Sequence, residues 1–441
     1  DQLLTASYKF SQNPNDSESN NYYDNIQGVL PSSAVTNNQY SDADMKEHTM
    51  QVDFVTPFGK IHNLETGVKY IIRLNQSESG KEELDNTTGN WNDIISVNDK
   101  FKHQQDIVAA YGGYSAKFKK WGIKTGLRYE ATWLEAKFPI DNSLNYKADY
   151  SNLVPSATVT YQLKPAQNIR FGYNMRISRP GIWQLNPNED TSDPIMISRG
   201  NPDLDAVKSH SINVNYGLFG QKINFNMNLS YDFEDNGITN YYFTENNKTI
   251  NTYDNIVKRK SLGASAYVNW SPNQKLRVYS NMSGRYTDLK ATKHISNKNN
   301  GFSGMVFGGG QYSFPKNFKA YANLGFFSPD ISLQNENTTF FFHGFSVSKG
   351  FMDDRLNFRA YIQNPFKKNN EFTSKIRTEQ FYYENINMSR MRSFGVSVSF
   401  RFGEMKTQIK KAKRGISNDD SMGSGQSSQG GQGGQTTGGQ N

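Results

Sequence analysis

Six histidines are the side chains best suited to acid–base or metal chemistry, because the sequence contains no cysteine. No two of them stand at a metal-ligand spacing. His210, between Ser209 and Ser211, comes nearest to a nucleophile beside a base, but consecutive strand side chains point to opposite faces. We therefore predict no catalytic, metal or cofactor site, with a metal site built from distant loops as the alternative. The histidines are His48, His62, His103, His210, His294 and His343.

Two glycine-rich stretches, around Gly112 and at Gly308–Gly310, invite comparison with phosphate-binding loops. Such a loop needs a strand-to-helix transition and a lysine followed by serine or threonine, and neither stretch has these. We predict that both lie in strands where curvature, or another part of the protein packed against the strand, excludes side chains.

Charge and composition exclude several classes of protein. The net charge of +8 is spread along the 441 residues and forms no basic patch with interleaved aromatics, so we predict no nucleic-acid partner. Mean hydropathy is −0.76, which suggests a small core, yet 13% of residues are aromatic, which argues against disorder. The absence of cysteine fits an exported bacterial protein.

The elements that position these side chains are strands. In Lys222–Phe233, apolar residues alternate without interruption with lysine, asparagine, serine and aspartate. The same two-residue period recurs along the chain, and almost no segment has a helical apolar stripe. We predict an all-β chain of about sixteen strands, each near the length that a tilted membrane strand needs. No window is long and apolar enough for a transmembrane helix.

The predicted connections alternate between short and long, as in outer-membrane barrels with tight periplasmic turns and long extracellular loops. The seven short ones contain proline, glycine, asparagine, aspartate or lysine. A soluble β-sandwich has no reason to sort its loops in this way. The eight predicted long connections are 13–45, 75–100, 139–150, 178–207, 234–255, 287–299, 329–338 and 364–390.

Large aromatic residues in the apolar register stand close to the short turns, where a girdle would meet lipid headgroups. Rings that close the end of a soluble barrel are the alternative. The predicted girdle consists of Phe118, Trp270, Phe314, Phe318 and Phe351.

Charged and amide residues occupy the opposite register, which in a membrane barrel faces a wet lumen. The arginines could steer anionic substrates, or could simply keep a wide barrel hydrated, with acids such as Glu65 and Glu130 paired across strands. Asparagines favour neutral polar contacts. The candidate lumen-lining residues are Arg128, Arg170, Arg176, Arg277, Arg285, Arg359, Asn224, Asn226 and Asn228.

The strand pattern ends near Glu404. We predict a barrel domain over 1–403 and a disordered periplasmic tail over 404–441, since the tail is first basic and then rich in glycine, glutamine and serine.

The segment Ser178–Leu204 resembles the TonB-dependent receptor barrels, particularly the outer membrane protein β-barrel group of Bacteroidota. Members of that group have an S-R-P turn, then L-N-P, then G-N-P-x-L. The segments 126–130 and 152–163 resemble the same group. One departure is Asp205, Ala206 and Val207, where the group usually has Lys-Pro-Glu. The matching residues are Ser178, Arg179, Pro180, Leu185, Asn186, Pro187, Gly200, Asn201, Pro202 and Leu204.

The resemblance implies a C-terminal portion of a barrel of twenty-two strands, whose plug and TonB-contacting segment belong to a missing N-terminal part. It implies a barrel in the bacterial outer membrane that contacts lipid and imports a scarce or bulky solute of unknown identity. Two alternatives stay open: a structural or surface-anchoring barrel without transport, and a passive porin of sixteen strands.

Overall fold

A computed structural model describes residues 2–22, 36–95, 100–187, 189–193, 196–246 and 248–403, together with Ile416 and Asn418. The predicted tail, 404–441, lies outside the described residues except for those two. The strands are β1 Leu3–Asn21, β2 Asn37–Phe58, β3 His62–Leu84, β4 Trp91–Ile94, β5 Lys100–Phe118, β6 Trp121–Lys137, β7 Tyr146–Lys164, β8 Gln167–Ser178, β9 Asp190–Asp193, β10 Met196–Ser198, β11 Val207–Phe219, β12 Ile223–Glu245, β13 Lys248–Trp270, β14 Leu276–Ala291, β15 Lys298–Phe314, β16 Phe318–Ser328, β17 Asn335–Asn337, β18 Phe340–Phe351, β19 Leu356–Gln363, β20 Asn369–Arg377, β21 Tyr382–Arg390 and β22 Ser393–Phe400.

Sixteen of these strands form one antiparallel meander, in which each strand pairs with the next. Their order is β1, β2, β3, β5, β6, β7, β8, β11, β12, β13, β14, β15, β16, β18, β19 and β22. This confirms the prediction of an all-β chain with about sixteen strands. Within the described ranges, β1 and β22 do not pair with each other.

The other six strands lie in connections between meander strands. β10 adds to the start of β13 in parallel and also pairs with β9, whereas β4 extends the edge of β3. β17, β20 and β21 form a separate sheet of three strands. The only described α-helix, Ile182–Leu185, has four residues, and no helix in the described part of the chain is long and apolar enough to cross a membrane.

The exposure of side chains on the two faces of the meander is the reverse of that in a soluble sheet. Large apolar side chains such as Leu229, Trp133 and Phe171 are 44%, 50% and 51% exposed on the face we call apolar. On the polar face, Arg73 and Glu130 are buried, at 5% and 7% exposure. A soluble protein buries its apolar row, so this pattern is the one expected when lipid is the solvent of the apolar face.

Seven short turns connect successive meander strands where the sequence predicts them. Strand-to-strand gaps there range from two residues at 119–120 to five at 271–275. Several turn positions have positive φ, among them Gly59 at 69° and Lys119 at 47°. The seven turns connect the second meander strand to the third, the fourth to the fifth, and so on. Because neighbouring strands run in opposite directions, these turns all lie at one end of the meander.

Some of the predicted long connections are too long, because the strands continue into them. The predicted connection 234–255 is mostly strand, because β12 continues to Glu245 and β13 begins at Lys248, with an irregular register between Glu234 and Gly237. β3 likewise runs to Leu84, and β14 runs to Ala291. Beyond the apolar band both faces are polar, so the alternating signal disappears although the backbone ladder continues.

Candidate functional site: the polar face and the 179–206 connection

A buried ion pair joins the S-R-P turn to strand β6. Arg179 is 1% exposed and is one of the largest fully buried side chains among the described residues. Its Nη2 atom donates to Oε2 of Glu130 at 2.7 Å and to Oγ1 of Thr132 at 3.0 Å. The other carboxylate oxygen of Glu130 accepts from Nε of Arg128 at 2.5 Å. The Glu130 carboxylate therefore bonds to two guanidinium groups and gives the buried Arg179 an ionic partner, which a buried charge requires.

Local structure explains how these side chains meet. Arg128, Glu130 and Thr132 alternate along β6, so all three lie on its polar face. β8 ends at Ser178, which pairs with Val207, and the next residue is Arg179. Glu65 and Glu130 are the acids that the sequence predicts to be paired across strands. Glu65 pairs with Lys124 on β6 at 3.5 Å, whereas Glu130 pairs with Arg128 on its own strand and with Arg179 beyond the end of β8.

The connection 179–206 folds back on itself through its short helix. The backbone N–H of Gly181 donates to Oε1 of Gln184 at 3.0 Å, and the backbone N–H of Gln184 donates to the Gly181 carbonyl at 2.9 Å. Gln184 and Leu185 are 5% and 1% exposed. Gln184 lies just outside the L-N-P motif, and no sequence pattern singled it out.

The G-N-P element packs directly against the L-N-P element. The Gly200 N–H donates to the Asn186 carbonyl at 2.8 Å, and the Asn201 N–H donates to the Gln184 carbonyl at 2.6 Å. A Cβ atom on Gly200 would lie 2.4 Å from the carbonyl oxygen of Asn186 and 2.7 Å from that of Gln184. Only glycine permits this approach of the two backbones.

Three further contacts fix the connection to separate strands. Nδ2 of Asn186 donates to Oγ of Ser77 on β3 at 3.1 Å, and the Tyr146 hydroxyl on β7 donates to the Pro202 carbonyl at 2.5 Å. Nδ2 of Asn201 donates to the backbone carbonyl of a β13 residue at 2.9 Å. The connection is thus held against the strands that surround it. Of the other motif residues, Pro180 and Leu204 are buried, whereas Ser178, Pro187 and Pro202 are partly buried.

The departure from the group's usual sequence has a local structural counterpart. The Asp205 N–H donates to Oδ1 of Asn255 at 2.8 Å, and Nδ2 of Asn255 donates back to the Asp205 carbonyl at 3.1 Å. Val207 is 0% exposed. In this chain the position is therefore held by backbone–amide bonds and a buried apolar side chain.

A second buried ion pair lies further along the polar face. Nε of Arg73 donates to Oε2 of Glu47 at 2.8 Å, and its Nη1 donates to Oε1 of Gln105 at 3.1 Å. Lys9 reaches Oε1 of Glu47 at 3.2 Å. Glu47 was not predicted as a partner of Arg73, although it lies in the polar register of β2.

The tail contributes one contact to the same cluster. Nδ2 of Asn418 donates to Oε1 of Glu47 at 2.9 Å and to Oγ1 of Thr49 at 2.7 Å. Ile416 is 8% exposed. Asn418 therefore lies against the polar face of β2.

The polar face of β11 and β12 is lined by neutral amides. Asn215 and Asn226 exchange two side-chain hydrogen bonds, of 3.0 and 3.3 Å. Asn224 and Asn228 lie on the same face and are partly buried. The amide row of the sequence is thus partly occupied in bonds between neighbouring strands.

A cavity of about 510 Å³ opens on this neutral part of the polar face. Its only charged residues are Arg285 and Asp330, and Oγ of Ser303 donates to Oδ1 of Asp330 at 3.1 Å. The volume is within the range of small-molecule pockets. The other side chains that line it include Asn228, Ser230, Ser265, Ser283, Met305, Phe327, Thr338 and Phe340.

The remaining candidate arginines do not form one cluster. Nε of Arg277 donates to Oδ1 of Asn269 at 3.2 Å, and Nε of Arg359 donates to Oγ of Ser346 at 3.2 Å. Arg170 and Arg176 are exposed on the polar register of β8, far along the meander from Arg359. A continuous arginine surface is therefore absent from the described polar face.

The candidate girdle residues all lie beside short turns and are exposed on the apolar face. Phe118 is 40% exposed, Trp270 43%, Phe314 49%, Phe318 47% and Phe351 44%. Trp121, which pairs with Phe118 across its turn, is 48% exposed and belongs to the same ring row. The side-chain amine of Lys349 lies 4.3 Å from the ring centre of Phe318.

The histidines lie apart and make separate contacts. His294 contacts Asp254 at 2.9 Å, His62 contacts the Tyr114 hydroxyl at 2.7 Å, and His210 stacks on Phe233 with ring centres 4.7 Å apart. In the described ranges, no three histidine or acidic side chains are grouped so that they could hold a metal ion.

The family model described as the outer membrane protein beta-barrel family matches residues 1–402. The chain belongs to this family. The resemblance in the S-R-P, L-N-P and G-N-P elements is thereby confirmed at the level of the family. In an outer-membrane barrel, the apolar face of the strands is the face that contacts lipid. No curated protein matches the sequence.

Solved structures of similar fold are transporters and receptors. The chain is similar to the copper transporter OprC with a TM-score of 0.65 and 13% identity, over 90% of this chain and 62% of that one. It is similar to the siderophore receptor PiuA from Acinetobacter baumannii with a TM-score of 0.61 and 13% identity, over 90% and 62%.

A third similar structure is the ferric citrate transporter FecA, with a TM-score of 0.57 and 13% identity, over 91% of this chain and 61% of that one. The chain thus spans about three fifths of the length of these proteins. At such identities the likeness concerns the fold.

Proposed function

We propose that this chain forms the wall of a TonB-dependent outer-membrane receptor that imports a scarce or bulky solute. The observation that carries the proposal is the cavity of about 510 Å³ on the polar face, lined mainly by serine, asparagine and aromatic side chains. The folds of a copper transporter and a siderophore receptor support it. In this proposal the long connections face the cell exterior and the short turns face the periplasm.

The residues of this chain have two roles in the proposed function. The ion pair of Arg179 with Glu130 fixes the 179–206 connection against the polar face, so that the solute meets a preformed surface. Ser283, Arg285 and Asp330 line the cavity and present both hydrogen-bond donors and acceptors. A plug and a TonB-contacting segment, carried by other parts of the protein, supply gating and energy.

The test is an uptake measurement in a deletion strain that expresses the full-length gene with single substitutions. Ser283→Trp fills the cavity, and Ser313→Trp places the same ring on the polar face of β15 close to a short turn. Growth on defined iron, copper, glycan and peptide sources first identifies the solute. We then expect Ser283→Trp to lower its initial uptake rate at least tenfold and Ser313→Trp to change it less than twofold.

Two results would contradict the proposal, and each points to a different alternative. Uptake that persists after a proton ionophore would indicate a passive porin. Unchanged growth of the deletion strain on every source, together with a defect in the cell envelope, would indicate a structural or surface-anchoring barrel. A plug domain encoded upstream of Asp1 would favour transport.

A further inference from the structure

A row of three lysines crosses neighbouring strands on the apolar face. Lys258 on β13 is directly opposite Lys290 on β14, and Lys290 is directly opposite Lys298 on β15. All three side chains are exposed. We call these three residues the lysine row. Directly opposed like charges destabilise a sheet, so this arrangement calls for a compensating anion.

Protein side chains supply little of that compensation. Lys258 pairs with Asp235 at 2.8 Å. In the described part of the chain, Lys290 and Lys298 have no ion pair. The next row toward the short turns contains Lys260 opposite Asp288, so its charges cancel. The lysine row therefore keeps an excess of about two positive charges, counted as three amines less one carboxylate.

The position of the lysine row relative to lipid follows from the strand that carries it. On β13 the girdle residue Trp270 and the exposed Leu262 mark the two ends of an apolar segment of nine residues. A membrane-spanning strand needs about 9 to 11 residues. Lys258 lies four residues beyond Leu262, at the end remote from the short turns.

An aromatic edge lies beneath the lysine row. Leu262, Tyr286 and Phe302 are directly opposite one another and are 63%, 38% and 77% exposed. The rings of Tyr286 and Phe302 are 4.9 Å apart. Aromatic rings mark the headgroup level of a membrane barrel, so the amines reach the polar headgroups just above it.

We propose that the lysine row binds the phosphate groups of a lipid A-type glycolipid in the outer leaflet. The proposal rests on the orientation given under the proposed function, in which the end with the long connections faces outward. Acyl chains would lie on Leu262 and Phe302, and the phosphates would lie between the amines. Three cations in one line match a headgroup that carries several negative oxygens.

The other side of the meander supplies a matched control. Lys46, Lys100 and Lys147 also lie on the apolar-face register beyond the apolar band, but each has a carboxylate partner. Their partners are Asp44 at 3.1 Å, Glu78 at 2.7 Å and Glu135 at 3.1 Å. Changing these three lysines to glutamine removes the same charge without touching the lysine row.

The experiment measures binding of bisphosphorylated lipid A to the purified full-length protein in neutral detergent. Each lysine at an anionic lipid surface contributes about a fivefold change in affinity, so Lys258→Gln/Lys290→Gln/Lys298→Gln should weaken binding about 100-fold. The control triple variant should change it less than twofold. Dephosphorylated lipid A should bind as weakly to the wild type as lipid A binds to the variant.

Stability provides a second readout that does not depend on solute transport. In neutral detergent the lysine-row variant should unfold at the same or a higher temperature than the wild type, because repulsion is removed. With lipid A present, the wild type alone should gain thermal stability. Equal lipid A affinity of wild type and variant, or an equal loss in the control, would overturn the proposal. So would full competition by millimolar inorganic phosphate, which would indicate an anion site without lipid specificity.

Discussion

The polar face is built in two ways on the two sides of the meander. Strands β2 to β8 carry buried ion pairs, with Arg73 on Glu47 and Arg179 on Glu130. Strands β12 to β16, together with β18, place mainly serine and glycine around an open cavity. The ion pairs on the charged side hold neighbouring elements together, and the small side chains on the neutral side leave room for the cavity. The first of these pairs joins β2 to β3 and the second fixes the 179–206 connection to β6, so both have a structural role.

The largest expected effect comes from breaking the charged side. Glu130→Ala should lower the free energy of unfolding by about 3 to 5 kcal/mol, because it removes the carboxylate that Glu130 presents to the buried Arg179. Urea unfolding in lipid vesicles measures this change. Glu65→Ala is the control, because its pair with Lys124 is 3.5 Å long and exposed and should contribute less than about 1 kcal/mol. Equal losses would remove the distinction between buried and exposed pairs.

On the neutral side, two substitutions on β12 test which face of the strand contacts lipid. Leu229→Arg should cost about 2 to 4 kcal/mol, because the charge enters lipid near the middle of the apolar segment Ile223–Phe233 of β12. Asn228→Arg, one residue away on the polar face, should be nearly silent in the same unfolding assay. Similar costs for the two variants would refute the assignment of the two faces.

The 179–206 connection can be disturbed without altering charge. Gly200→Ala should cost about 1 to 3 kcal/mol, because its Cβ would overlap the backbone of Asn186. Protease cleavage of the connection should increase in parallel, which limited proteolysis followed by mass spectrometry measures. Gly284→Ala, which has no atom within 4 Å of the added Cβ, is the control and should not destabilise by this route.

The smallest expected effect concerns the amide row. Asn226→Ala should cost about 1 kcal/mol, because it removes two neutral hydrogen bonds with Asn215 that water can partly replace. Urea midpoints of the single and double variants of this pair measure it. A loss as large as that of Glu130→Ala would mean that the two sides of the polar face do not differ in how they stabilise the protein.

Local patterns predicted the strands well and their ends poorly. The alternation in Lys222–Phe233 identified β12, but the irregular register after Glu234 hid its last part because both faces become polar there. Five aromatic residues beside short turns were found because their register and turn residues are both local. Glu47 could not be assigned to Arg73, since strand neighbours far apart in sequence give no local signal.

For the candidate site, too, sequence patterns identified individual residues but not the contacts between them. Arg179, Gly200 and Asn201 were found through a family motif, yet the motif did not reveal that Arg179 reaches Glu130 or that Gly200 touches Asn186. The cavity beside Ser283 was missed, because serine and glycine in a polar register are unremarkable in sequence. Its shape depends on six strands, β12 to β16 and β18, that only the fold brings together.

The ion pair of Arg179 and Glu130 also bears on how the chain inserts into the membrane. A shift of β6 by one residue against β7 exchanges its two faces, which would turn the Glu130 carboxylate toward acyl chains. The buried Arg179 would then lose the carboxylate of Glu130. The pair therefore favours the correct register, because the hydrogen bonds of Arg179 to Glu130 and Thr132 form only when β6 to β8 have paired with Glu130 on the polar face.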